Sequence, residues 1–290
     1  MKRKILKAIA FIVAVALIAG IGAFANALVG NPISRHLAEN AAERLVEEKH
    51  AGSDFYVEKI FYSFKDGFYH ITLSSPSSPD SSFRILTDFF GRIKLNTYED
   101  VIANKRNTAD RIWREYRDAV DRVLESGTFP YDAYIAYGDI EFIDGESVGA
   151  YDLPYYAIVT DTLELDARYD IGELGKKAGH LVIYVYDEAV TAEKMAEILI
   201  GIKAAVNSSG VEFYTIDCVL EKPKSPDGSY SQERMEVKDF LCEDIYEKGM
   251  VERVAEANRK AEEYHAMQDE LKQQEIEAYE KSLSEQAENN

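Results

Sequence analysis

Apolar and polar positions change rhythm four times along the chain. From Ala8 to Ala25 no residue is charged or polar. About 18 helical residues at ~1.5 Å each span about 27 Å, close to the ~30 Å hydrocarbon core of a bilayer. Beyond Gly30, Asn31 offers a cap and Pro32 a first helical residue, and Ile33, Leu37, Ala41 and Leu45 recur with helical spacing. That helix should stop near His50, before the turn chemistry of Ala51-Gly52-Ser53-Asp54. Two aromatic and β-branched runs follow, Phe55 to Phe64 and Phe68 to Leu73, joined by Lys65-Asp66-Gly67, a strong hairpin signal. After a loop with Pro76 and Pro79, Phe83 to Leu86 and Ile93 to Leu95 read as two more strands of an antiparallel meander. A second helix, from about Tyr98 to Glu125, carries Ile102, Ala109, Ile112, Trp113, Tyr116, Val120, Val123 and Leu124, a stripe able to cover that sheet.

From Tyr131 the rhythm changes again. Ala133 to Phe142 is strand-like and a polar loop follows. Strands at His180–Tyr186 and Glu212–Leu220 then flank a helix from about Thr191 to Val206, the crossover that a parallel pair requires. The tail from about Val237 to Gln286 is helix-prone and charged, with Val254, Ala257, Ala261, Tyr264 and Leu271 too dilute to seal a coiled coil. The class is α+β: a transmembrane helix, a helix-plus-meander module, a second small α+β module and a charged helix. The expected boundaries are 1–30, 31–127, 128–230 and 231–290.

Charge decides the orientation. Lys2, Arg3, Lys4 and Lys7 precede the apolar run, so the short end stays in the cytoplasm and the bulk of the chain is extracytoplasmic. Ala23-Phe24-Ala25 and Ala25-Asn26-Ala27 also fit a signal-peptidase site, which leaves cleavage as the alternative to a single-pass cell-membrane anchor. With 52 acidic against 33 basic residues the chain carries −19, and without the four leading cations the exported part carries −23. Such a balance opposes nucleic acid as a partner, and it should hold the exported part off anionic headgroups. Hydrophobic residues at 46% supply a sizeable core.

The segments Asn31-Pro32-Ile33-Ser34, Phe61 to Tyr69 (FYSFKDGFY) and Ser74 to Asp80 (SSPSSPD), placed behind the anchor, resemble the YfjL-like proteins of Gram-positive bacteria. The similarity covers about the first 125 residues, and the later β-α-β segment would correspond to the family's second module. The resemblance implies a single-pass membrane protein without an established biochemical role and brings no catalytic residues.

The residues themselves offer little chemistry. Gly145-Glu146-Ser147-Val148-Gly149 is a literal G-x-S-x-G, but Pro154 and aromatic residues follow where a nucleophile elbow needs a helix. His36, His50, His70, His180 and His265 show no paired ligand spacing, so no metal site is expected. No phosphate-cradling glycine loop occurs, and no cofactor is expected. Cys218 and Cys242 could pair outside the cell or remain two reduced thiols. The expectation is a non-enzymatic binding or regulatory module with an envelope protein as partner. The alternative is an extracytoplasmic hydrolase using Ser147 or a carboxylate pair.

Overall fold

The structure, a computed structural model, describes residues 2–127, 129–145, 154–225, 229, 231 and 233–288. It divides into two compact units, Met1–Arg111 with Thr160–Ala167, and Ile112–Val159 with Arg168–Asn290.

In the first unit, helix α1 (Lys2–Val29) is followed by α2 (Pro32–Lys49). Between them Gly30 takes a left-handed φ of 71°, and the Asn31 side chain accepts the Ser34 N–H at 2.8 Å to cap α2. Strands β1 (Tyr56–Ser63), β2 (Phe68–Ser75), β3 (Ser78–Thr87) and β4 (Ile93–Asn96) form an antiparallel meander in chain order. Gly67, at φ 76°, supplies the left-handed residue that the Asp-Gly turn requires. Alternation along β2 buries Tyr69, Ile71 and Leu73, which meet Phe83 and Ile85 of β3 and Ala38, Ala42 and Leu45 of α2. Each buried Leu or Ile contributes about 1.5–3 kcal/mol, so α2 is fixed on this face of the sheet.

Two expectations need correction here. The loop around Pro79 is largely strand, because β3 begins at Ser78 and a register shift at Ser74/Ser75 admits the proline near its start. The helix expected from Tyr98 to Glu125 is interrupted. A π-helical turn at Glu99–Ala103 ends at Lys105, left-handed at φ 59°, and α3 (Arg106–Leu124) starts afresh.

The α3 stripe also serves a different sheet from the one expected. The division between units falls inside this helix, and Tyr116 and Val120 pack around Gly138 beside Leu181, all in the second unit. Segment 160–167 returns to the first unit, so the units are discontinuous in sequence and the expected boundary at 127/128 coincides with none of the three crossings.

The second unit contains β5 (Ala133–Ile140), the short parallel pair β6 (Phe142–Ile143) and β7 (Ile158–Val159), and α4 (Ile171–Ala178). These are followed by β8 (Gly179–Tyr186), α5 (Ala192–Ser208), β9 (Thr215–Glu221), β10 (Arg234–Leu241) and α6 (Met250–Glu288). Its main sheet has the order β10-β9-β8-β5, with β8 and β9 parallel through α5, as expected, and the outer pairings antiparallel. Leu181, Ile183 and Val185 alternate inward along β8, toward a core that includes Ile198, Leu199 and Ile202 of α5.

α4 occupies part of the expected polar loop. Its eight residues are too few for a periodic signal, although Asp170 caps them by accepting the Glu173 N–H at 3.1 Å. β10 lies where the charged helical tail was expected to begin. A register shift between Val237 and Phe240 breaks the period-two alternation by which a strand is recognised. α6 then buries Val254 and Ala261, while Tyr264, Met267 and Leu271 are exposed.

Candidate functional site

Period-two alternation in the second unit leaves one sheet face carrying polar and aromatic groups. On β8 it presents His180, Val182, Tyr184 and Tyr186, all half-buried. Register places Asp139 of β5 and Thr215 of β9 beside His180, and Asp217 one step along beside Val182. Asp239 joins them through the irregularity in β10. Its backbone is left-handed at φ 47°, and its N–H donates to Asp217 Oδ1 at 2.7 Å.

His180 is the centre of this group. Nδ1 lies 3.4 Å from Glu141 Oε1 and Nε2 lies 3.3 Å from Asp217 Oδ1, with Nε2 buried and off the line of a good hydrogen bond. Burial alone would lower the imidazole pKa, but Asp217 and Glu141 more than offset it and His180 is pushed up to about 9. It is therefore an imidazolium at neutral pH. Burial raises the Asp139 carboxyl, against the opposing pull of Arg117, which pairs with it at 3.1 Å and lies over Trp113 and Tyr137. Burial and the nearby Asp217 likewise raise Asp239. Tyr156 borders the group and accepts a hydrogen bond from Thr215 Oγ1 at 3.2 Å.

Two chemical consequences follow. A histidine whose two ring nitrogens both face carboxylates is a poor general base, because its lone pair is protonated across the physiological range. The donors of His180, Asp217 and Asp239 also lie within 4.8 Å of one another, so these three side chains could hold a divalent cation in place of that proton. Sequence spacing missed this grouping, since its members come from three strands and meet only through parallel pairing and a bulge. Alternation of His180 with buried neighbours was the available signal.

Other candidate residues fall elsewhere. Ser147 and the rest of its motif after Gly145 lie outside the described residues. His265 sits on α6 with Nε2 3.0 Å from Glu236, and His70 stacks on Phe61 beside Asp66. His50 packs against Tyr98 with ring centroids 4.2 Å apart, and His36 is exposed near Asn40. Of the two states open to the cysteines, the structure holds free thiols. Cys218 is opposite Val237, whereas the Cys242 N–H bonds Tyr214 O, four residues before Cys218 and just ahead of β9. That offset is about 13 Å of strand, twice the reach of a disulfide. Burial pushes the Cys218 thiol up to about 12, which makes it inert.

A cleft of about 1190 Å³ lies between β10 and α6, lined by Tyr155, Tyr156, Asp239, Arg253, Lys260 and Tyr264 among others. It opens beside the His180 group through Tyr156 and Asp239.

Comparison with known proteins adds family models over both parts of the chain. The YfjL-like N-terminal domain matches residues 5–103 and the YfjL-like C-terminal domain matches residues 115–255. No curated protein and no solved structure matches.

Proposed function

The chain belongs to the YfjL-like family, and on that premise we propose that it is a membrane-anchored, extracytoplasmic binding or regulatory protein without catalytic activity. The observation that carries this reading is the surface of α1. Phe11, Ile12, Leu17, Ile18, Ile21 and Phe24 are all exposed on a helix long and apolar enough to cross a bilayer. Four cations precede the span and support an orientation with the remainder outside. The second unit supports a binding role through the polar, tyrosine-rich sheet face around His180 and the cleft beside it. The hydrolase alternative gains nothing from His180, which is protonated between carboxylates.

Fractionation tests this reading. The full chain should stay with membranes through alkaline carbonate extraction, and protease added to intact cells should remove residues beyond the span. Recovery of a shortened soluble chain beginning near Asn26 or Leu28 would refute the anchor, and complete protection from protease would refute the orientation.

A further inference from the structure

The end of the first unit nearest α1 carries exposed aromatic side chains on two separate turns, and both turns face the same way. Tyr62 Oη donates to Ala27 O at 3.0 Å, which sets the end of β1 level with the last turn of α1. The Tyr69 hydroxyl accepts the Asn31 N–H at 2.7 Å and donates to Asn31 O at 3.0 Å, so β2 begins at that same level. α2 leads away from this point. At its far end His50 packs on Phe55 and Phe83, so β1 runs back toward α1. The β1–β2 turn, with Phe64 and Lys65, therefore extends past the start of α2 on the side from which α1 arrives. The β3–β4 turn lies at this end too, because Phe89 packs on Tyr62 at 5.3 Å and on Tyr69 at 5.9 Å.

At these tips Phe64 is 62% exposed and Phe90 72% exposed, and Ile33 in the first turn of α2 is 75% exposed. Single exposed apolar residues are ordinary, but three on separate elements at one end, beside an apolar span, make a patch. Its charge differs from that of the whole chain. Lys65 and Arg92 stand on the two turns with Asp66 and Asp88, and Lys94 follows in β4; Arg92 and Lys94 lie 2.8 Å and 3.6 Å from Asp88, and Asp66 is taken up by His70. The −19 of the chain is therefore absent here, and the guanidinium of Arg92 lies over the Phe90 ring.

We propose that Phe64, Phe90 and Ile33 seat the first unit in the interfacial layer of the bilayer that α1 crosses. Aromatic rings with neighbouring cations are the groups that favour headgroup depth, and Ala27 lies just past the apolar run, at that depth. The proposal rests on the anchor reading. It replaces a unit held off the surface by net charge with one whose near end is docked on it.

Tryptophan quenching in the full chain tests it. Phe64→Trp, Phe90→Trp and, as a reference at the other end of β1, Tyr56→Trp would be reconstituted into phosphatidylcholine–phosphatidylglycerol vesicles with brominated acyl chains. The emission of native Trp113 is subtracted using the unsubstituted chain. The two tip tryptophans should emit blue-shifted and lose about half or more of their emission, while the reference should keep nearly all of it. Quenching at both tips no greater than at the reference overturns the proposal. Vesicle flotation separates the failures: a chain that does not float defeats the anchor and the proposal with it, whereas a floating chain with unquenched tips defeats the proposal alone.

Discussion

Asp80 and Asp166, 86 residues apart, each bind the backbone of the other. The Asp80 N–H donates to Asp166 Oδ1 at 3.1 Å and the Asp166 N–H donates to Asp80 Oδ2 at 2.9 Å. Arg111 completes the arrangement with a two-pronged contact to Asp80 at 2.7 and 2.9 Å and a bond to Ala167 O at 2.8 Å. Asn107 donates to the carbonyls of Asp80 and Ser82. With Asp166 left-handed at φ 60°, this network holds segment 160–167 within the first unit.

Asp80→Ala should therefore be severe. It leaves the largely buried Arg111 guanidinium without its carboxylate and the Asp166 N–H without an acceptor, a loss of about 3–5 kcal/mol. Urea denaturation of the detergent-solubilised chain measures it, and a loss below about 1 kcal/mol would show the network to be incidental.

The same carboxylate sets an acid limit. Burial pushes Asp80 up, but the bonds from Arg111 and the Asp166 N–H more than offset it and hold the group below the ordinary carboxylate range. A depressed acid stabilises fully above its unfolded value, near pH 4, and the contribution disappears as pH falls through the lower folded value. The stability difference between the wild type and Asp80→Ala should thus be flat from pH 8 to about 5 and shrink below about pH 4.

His180 gives the opposite sign. Its pKa is raised to about 9, so its contribution is complete below the ordinary histidine value near 6.5 and is lost as pH rises through 9. A melting-temperature series for wild type and His180→Gln should converge between about pH 7 and 10. A gap that widens over that range would contradict the assigned partners, Asp217 and Glu141.

Gly175 admits no side chain. A Cβ there would overlap the Glu212 carbonyl oxygen, the atom that accepts the buried Tyr116 hydroxyl at 2.9 Å. Gly175→Ala should cost about 1–3 kcal/mol through forced displacement of backbone. Tyr116→Phe should cost a similar ~1–3 kcal/mol by leaving that carbonyl without its donor. Circular-dichroism melts of both variants check the pair, and a neutral Gly175→Ala would mean that the α4 contact is loose.

Removing the chain after Ala266 should leave the melting temperature nearly unchanged, because the buried residues of α6 among those described, Met250, Val254 and Ala261, all precede that point. A fall of several degrees would assign a structural role to the outer helix.

What was legible in the sequence follows from the range of the signal. The apolar helix α1, α2, the β1–β2 hairpin and the β8–α5–β9 crossover declare themselves within windows of about 20 residues, by composition, periodicity, a cap or an Asp-Gly turn. Asn31 and Gly67 perform the local tasks their types suggest. The partners of Asp80 and His180 could not be read, because Asp166 comes from a turn 86 residues further on and Asp217 reaches His180 only through the pairing of β8 with β9. The break at Lys105 was equally hidden, since lysine has no preference for the left-handed conformation it adopts there.

The outermost strand of the second unit has a further property. The Glu236 N–H, which points away from β9, is taken by Asn258 Oδ1 of α6 at 2.8 Å. Three residues on, Asp239 swings its own N–H back to Asp217 at the bulge. One outward N–H of this strand is thus engaged by a helix and the next stretch is bent out of line, so this border of the sheet resists strand addition. Edge-to-edge pairing between copies is therefore disfavoured at β10, and a partner meeting this border does so more readily through side chains.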